Sequence, residues 1–415
     1  MAENRRRQRV LFLIRNLDVG GAERIFSTYV NNTLNIEPVV LLHRNIIAPG
    51  NRLNAHIPCS EILPESHPWR RLGRSMPLPL AESGKKNRSR LEEIMARLPV
   101  MERFFEGLQI RKIARQHKCR VISSFMLKSN RVAVFTKLFL ARSLRVVVNV
   151  HEVMSRHLIE AHPFAIERLV QRWLSRLVFK NADLIVAVAE GVKNDLVAHF
   201  GAHPEKIAVV PNPIDLNLIR RMAAEPLEDM PRGDSGAALI VAAGRLVKLK
   251  GFDLLIRAFA DLPDEIRARL MIVGDGEERQ NLQKLVERLR LDKKVFLIGS
   301  KKNPWKYMAR ADIFVLSSHT EAFPNVLGEA LALEIPVLAT DCSAGIREYL
   351  QNGKCGLIVP PGDKKALTRG LTQMLTDSEL GRRLVKQAAE RVAEFDIARV
   401  VNIYENVLHT VLQRT

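Results

Sequence analysis

Short runs of Val, Ile and Leu recur along this chain, each of strand length and each followed by a stretch of helix length. The first half holds VLFLI (10–14), PVVLL (38–42), RVISSF (120–125), RVVVNV (145–150), DLIVAV (183–188) and KIAVVPN (206–212). The second holds ALIVAAG (238–244), LMIVG (270–274), KVFLIG (294–299), DIFVLS (312–317), PVLAT (336–340) and CGLIVP (355–360). A strand wet on one face alternates apolar with polar residues. Runs this continuous are buried on both faces, which calls for parallel strands with helices above and below. The expected fold is α/β, made of βαβ units in doubly wound sheets. A chain of 415 residues is too long for one ordinary core. The stretch around 211–236, rich in Pro, Gly and charge, separates the two strand series. The predicted domains are 1–212 and 213–390, with 391–415 a helix packing back across their junction.

Composition narrows the class. With 47% apolar and 26% charged residues the chain is globular, and no apolar run reaches the roughly 18 residues that would span a bilayer. The start, MAENRRRQRVLFLIRNL, superficially resembles a signal peptide. Arg15 interrupts its apolar stretch and no small-residue cleavage site follows, so RVLFLI is read as a first strand. Cys59, Cys119, Cys342 and Cys355 have no CxxC spacing, which suggests neither zinc nor a disulfide framework and fits the cytoplasm.

The net charge of +19 is uneven: residues 1–212 carry 34 Lys/Arg against 18 Asp/Glu, and residues 213–415 carry 30 against 27. A basic first half should be drawn to a polyanion, either nucleic acid or an anionic membrane surface. Nucleic acid is the weaker partner, because aromatics are only 6% of the chain and no known binding module is present. A segment near 90–116 sets Ile94, Leu98, Met101, Phe105 and Leu108 at helical spacing beside Arg97, Arg103, Arg111 and Lys112. That pattern suits an interfacial helix and a core-packed one equally, with Pro99 interrupting or opening a segment.

Ligands in open α/β sheets sit beyond the carboxyl ends of strands, where helix N-termini aim N–H groups at anions. Four junctions here have suitable residues. In DVGGAERIF (18–26), Gly20 and Gly21 allow close backbone approach to a phosphate or sugar, or make a plain turn. In AAGRLVKLKGFDLL (242–255), Arg245 and Lys250 offer a bidentate fork and a point charge to a diphosphate, or form a solvated basic turn. MIVGDGEER (271–279) imitates a dinucleotide loop, but Arg279 stands in the third glycine's place. In HTEAFPNVLGEALA (319–332), free N–H groups over 322–326 suit an anion, and Glu329 suits a ribose diol. Glu321 would reach another part of the ligand; a capping carboxylate with a surface Glu is the plain alternative.

GGAE after the first strand, GRLxxxKG at 244–251, VGDG at 273–276 and Glu-x7-Glu at 321–329 occur in this order. Together they resemble the retaining GT-B glycosyltransferases of family 4, which build bacterial polysaccharides and lipid-linked saccharides, over about residues 9–390. The resemblance implies two Rossmann-like domains facing a cleft, the second holding a nucleotide sugar. Arg245, Lys250, Gly21, Asn325 and Val326 would hold the donor diphosphate, Glu329 the ribose, and Phe323, Pro324 and Asn325 the sugar. Glu321 and His151, the latter in NVHEV, would serve catalysis beside the sugar, and the nucleobase would lie near IGSKKN (298–303). Ala322 departs from the family's usual glycine, which leaves the donor sugar open. Asp341 and Glu348, in DCSAGIREYL, read as structural.

The expected reaction moves a hexose or N-acetylhexosamine from a nucleotide sugar, UDP foremost, to a membrane-associated glycolipid or polysaccharide precursor. No DxD motif and no clustered His, Cys or carboxylate set is seen, so neither metal nor cofactor is expected. The enzyme would work at the inner face of the plasma membrane. A soluble acceptor, a GT-B sugar epimerase, an NAD-dependent oxidoreductase and a basic nucleic-acid-binding protein are the competing readings.

Overall fold

A computed structural model describes residues 7–18, 20–44, 46–62, 90–227 and 236–413, the side chains of 90–102 excepted. By its contacts the chain forms two compact units. One comprises Met1–Ala187, Lys193–Val210 and Val401–Thr415, the other Val188–Val192 and Pro211–Val400.

The first unit is built on β1 (Gln8–Ile14), β2 (Ile36–Leu42), β3 (Cys59–Glu61), β4 (Val121–Phe125), β5 (Arg145–Val150), β6 (Leu184–Ala187) and β7 (Ile207–Val209). They pair in parallel as one sheet in the order β3-β2-β1-β4-β5-β6-β7. The second unit's strands are β8 (Ala238–Ala243), β9 (Ala268–Val273), β10 (Val295–Leu297), β11 (Ile313–Leu316), β12 (Val337–Thr340) and β13 (Leu357–Val359). These are also all parallel, in the order β10-β9-β8-β11-β12-β13. Every run read as a strand from the sequence is one. β3 went unread because its CSE is short and polar, and half-exposed or exposed at a sheet edge.

The continuous aliphatic runs are explained by burial. Val10 to Ile14 in β1 and Ile240 to Ala242 in β8 are sealed from water on both faces. Helices pack over the second sheet through Phe252, Leu255, Ile256, Leu282, Leu367 and Leu371. Each strand order reverses direction at one place, between β1 and β4 and between β8 and β11, the positions at which open α/β sheets place their ligands. At the first switch point Met126 ends β4 with φ +68 and ψ 149, a conformation that is strained for a side chain of its size.

The helix Arg90–Gln116 runs through Pro99. Of the apolar positions singled out in it, Ile94, Leu98 and Met101 lie outside the described side chains. Phe105 and Leu108 are half-buried, on a segment whose Glu106, Gly107 and Ile110 are buried. No described helix is long and apolar enough to cross a membrane. All four cysteines are free thiols, Cys59 exposed and the others buried.

The C-terminal helix, Ile397–Leu412, completes the first unit through Tyr404 and Glu405. Tyr404 stacks on Tyr29 at 4.2 Å between ring centres and shares a 2.6 Å hydrogen bond with the Ser123 hydroxyl. The Glu405 carboxylate, 1% exposed, accepts from the N–H groups of Leu34, Asn35 and Ile36 and from the Asn35 side chain, at 2.8 to 3.2 Å. It thereby satisfies the backbone where β2 begins. Glu405→Ala would strand those donors, and chemical denaturation should show a loss of about 3 kcal/mol. Glu405→Gln, which still accepts, should lose visibly less.

Candidate active site

The second unit's switch point gathers the residues singled out in the sequence. β8 ends at Ala243, and the chain passes Gly244 and Arg245 into a short 3-10 turn, Lys248–Lys250, before the helix Phe252–Ala260. The hinge is Gly251, in the left-handed region at φ +59. A β-carbon there would stand 2.3 Å from the Ser317 carbonyl oxygen, so both backbone angle and space demand glycine. This contact brings the exit loop of β8 against that of β11. The Ser317 hydroxyl donates to the Lys250 carbonyl at 2.9 Å, and the His319 N–H to the Leu249 carbonyl at 2.8 Å.

With the two loops laced together, the Lys250 ammonium meets the Glu321 carboxylate at 2.5 Å. The Ser318 hydroxyl donates to the same oxygen at 2.7 Å, and the Ser318 carbonyl is held by the Thr340 hydroxyl at 2.6 Å. Both partners of the ion pair are largely sheltered, with side chains 25% and 12% exposed. The buried Cys342 thiol feels this pair. Burial first, then the Glu321 charge, push its pKa up to about 12, so it stays protonated and inert. Arg245 is exposed, and no described carboxylate pairs with it.

Beyond Glu321 the chain enters the helix Asn325–Ala332, with Pro324 at the N-cap and no side chain capping the first N–H groups. Asn325 and Val326 are therefore the amides this helix end offers to an anion. The approach segment is rigid. Phe323 stacks on Tyr349 with 3.8 Å between ring centres, and the Asn212 amide donates to the Asn325 side-chain oxygen at 2.7 Å and to the Phe323 carbonyl at 3.3 Å. Gly345 backs this loop so closely that a β-carbon would fall 1.9 Å from the Ala322 carbonyl oxygen. Ala322 itself has an ordinary negative φ, so its methyl is carried without strain.

Glu329, second turn of that helix, is 5% exposed and accepts the Trp305 indole N–H at 2.9 Å. Trp305 starts the short helix Trp305–Met308 that follows IGSKKN, linking that segment to Glu329. Asn303 at the end of IGSKKN is buried and donates to the Met222 carbonyl and the Glu225 carboxylate, a supporting role.

Gly274 and Gly276 are explained by packing. β-Carbons at these positions would stand 1.9 Å from the Gly244 carbonyl oxygen and 2.4 Å from that of Leu246. The pair thus seats the β9 exit loop against that of β8, which accounts for the dinucleotide-like spelling. Asp341 and Glu348 are occupied as well. Asp341 takes a forked hydrogen bond from Arg347, and Glu348 accepts the N–H groups of Glu190 and Gly191 at 3.1 Å.

Gly21 and His151 belong to the first unit. Gly21 opens the helix Gly21–Asn32 after β1, and His151 follows β5, its ring stacked on Phe125 at 5.6 Å. Sequence reasoning missed Trp305, Asn212, Ser318 and Tyr349. Each acts on a residue it did find, mostly across tens of positions.

Comparison with known proteins agrees with this geometry. Residues 230–391 match the family described as Glycosyl transferases group 1, and residues 80–218 match Glycosyltransferase Family 4. The Campylobacter jejuni N-acetylgalactosamine-N,N'-diacetylbacillosaminyl-diphospho-undecaprenol 4-alpha-N-acetylgalactosaminyltransferase is 33% identical over 71% of this chain and 78% of its own. A Rhizobium meliloti lipopolysaccharide core biosynthesis glycosyltransferase is 32% identical over 59% and 69%. In fold the chain is similar to Anabaena HepE in complex with UDP, with TM-score 0.73, 20% identity and coverage of 97% and 100%. Two parallel sheets flanked by helices, both family matches in order and a relative this similar over most of its length lead to one conclusion: the chain belongs to the family 4 glycosyltransferases of GT-B type.

Proposed function

We infer that the enzyme transfers a hexose or N-acetylhexosamine from a UDP sugar to a lipid-linked saccharide or polysaccharide precursor, retaining anomeric configuration and using no metal ion. The observation that carries this reading is the Lys250–Glu321 contact at the β8/β11 switch point, beside the uncapped N-terminus of the helix Asn325–Ala332. Breaking a sugar–diphosphate bond leaves negative charge on the leaving group and positive character on the anomeric carbon. Lys250, Arg245 and the amides of Asn325 and Val326 answer the first, as fixed charges and dipoles that need no rearrangement. Glu321 answers the second. An ammonium has three donors and Glu321 takes one, so Lys250 can serve a phosphate without releasing its carboxylate.

Glu329 is assigned to the ribose hydroxyls, and Phe323, Pro324 and Asn325 to the sugar. Gly21 and His151 keep the roles that the resemblance gives them, at the diphosphate and the sugar. The acceptor class is supported by the Campylobacter relative, whose name specifies a diphospho-undecaprenol saccharide, and the nucleotide by the UDP bound in HepE. An acceptor of this kind places the enzyme peripherally at the inner face of the plasma membrane.

Lys250→Ala should lower kcat/KM for the UDP sugar roughly 100- to 1000-fold in a protein that still folds, with a lower melting temperature because Glu321 loses its cation. An unaltered kcat/KM would remove the diphosphate role. Trp305→Phe, which takes one hydrogen bond from Glu329, should raise KM about tenfold and leave kcat near the parent's. Proton NMR of the first product formed from an α-linked donor should show an α-glycoside, in EDTA as in its absence. A β-glycoside would defeat retention, and activity lost to EDTA and restored by a divalent ion would defeat metal independence.

A further inference from the structure

The helix Ala165–Asn181 of the first unit is turned inside out along one stripe. Ser175, Val178 and Phe179 face the core. On the opposite side Ile166, Leu169, Val170, Trp173 and Leu177 are exposed, Ile166 to 72%, Leu169 to 64% and Trp173 to 59%. At about 100° per residue these five positions fall within an arc of about 100°, and the stripe is about 17 Å long. Phe164 at the N-cap, 66% exposed, extends it. Exposed apolar residues scattered singly need no explanation, but a contiguous helical stripe does.

The charges along the stripe say what covers it. Arg172, Arg176 and Lys180 flank it and Arg168 lies nearer the core side, against one acidic residue on the helix, Glu167. Arg172 and Arg176 are both anchored on the His199 carbonyl, at 3.0 and 3.4 Å, which holds two guanidinium groups along one flank of the helix. The whole first half carries the chain's positive excess, 34 basic against 18 acidic residues over 1–212. A second copy seated on this face would bring the same basic flank and a single acidic residue per helix, and so no anionic partner for these cations. A bilayer with anionic headgroups instead takes the apolar stripe among its acyl chains and the cations at its surface, with the Trp173 indole at the boundary.

We propose that the exposed face of Ala165–Asn181 is the surface by which this enzyme docks on an anionic lipid bilayer. This deepens the reading of a membrane-anchored acceptor and rests on it for its purpose. It concerns a different helix from the one near 90–116, for which the sequence left an interfacial and a core-packed reading equally open, and one whose apolar side chains are exposed.

The test is co-sedimentation of the full chain with phosphatidylcholine vesicles, with and without phosphatidylglycerol, together with hydrolysis of a UDP sugar in vesicle-free buffer. The parent should bind the phosphatidylglycerol vesicles, more weakly at high salt, with a blue shift of tryptophan fluorescence that Trp173→Phe removes. Leu169→Gln/Trp173→Gln should weaken binding at least about tenfold and leave hydrolysis unchanged. Equal binding by parent and variant overturns the proposal, as does binding of neither vesicle by the parent. So does a variant whose only change is conversion of a dimer to a monomer, which would make the face a contact between copies. Should hydrolysis be absent from the parent while vesicle binding follows the variant, the docking surface stands and the transferase reading fails.

Discussion

Residue 251 has to lack a side chain, and the second unit's chemistry depends on it. The loops leaving β8 and β11 diverge from adjacent strands, and without a close contact they would move independently. Glycine lets the Ser317 carbonyl approach to where a β-carbon would otherwise stand. The lacing through the Lys250 and Leu249 carbonyls follows from that approach. Backbone at one end and a carboxylate at the other then confine the lysine side chain. A free lysine carries about 2 kcal/mol of rotamer entropy, and part of this is already lost before any ligand arrives.

The electrostatics follow from the same packing. A mostly sheltered carboxylate needs a cation and donors, and Glu321 has Lys250 and the Ser318 hydroxyl. The neighbouring Cys342 thiol, with its pKa pushed up to about 12, adds no third charge. The pair is close to neutral overall, so in the proposed role an incoming diphosphate would meet Arg245 and the helix dipole without a net repulsive carboxylate. In the proposed reaction, charge would separate in the sense the pair is already polarised as the sugar–phosphate bond breaks. Stabilisation that grows with charge separation favours the transition state over the bound donor, which is the condition for a gain in rate.

How much of this was legible in the sequence depended on whether the signal was local. Strands buried on both faces announce themselves by composition, so β1, β5, β8 and β9 were read close to their observed ends. Arg245, Lys250 and Glu321 could be singled out because each lies in a loop leaving a strand, where parallel sheets place ligands, and Glu329 because it lies on the helix that follows. The partners were not readable. Trp305 reaches Glu329 over 24 positions and Asn212 reaches Asn325 over 113, and no spacing rule spans such distances. Gly274 and Gly276 show the limit of local spelling from the other side. Their local spelling imitates a dinucleotide loop that Arg279 spoils, and only packing shows that two strand-exit loops needed to touch.

Periodicity carries a further ambiguity. In Ala165–Asn181 the apolar positions recur every three or four residues, as they do in a helix lying on a core. That pattern says a stripe exists and is silent on which way it turns. Here two apolar stripes share one helix: Val178 and Phe179 are inside, and Leu169, Val170 and Trp173 are outside. The flanking arginines separate the two, since their guanidinium groups bend to the His199 carbonyl and stay at the rim. A cation held at the rim of an apolar stripe keeps its remaining donors pointed at water or at whatever anion replaces it. The same side chains that fix the helix to the unit thus define the chemistry of its outer face.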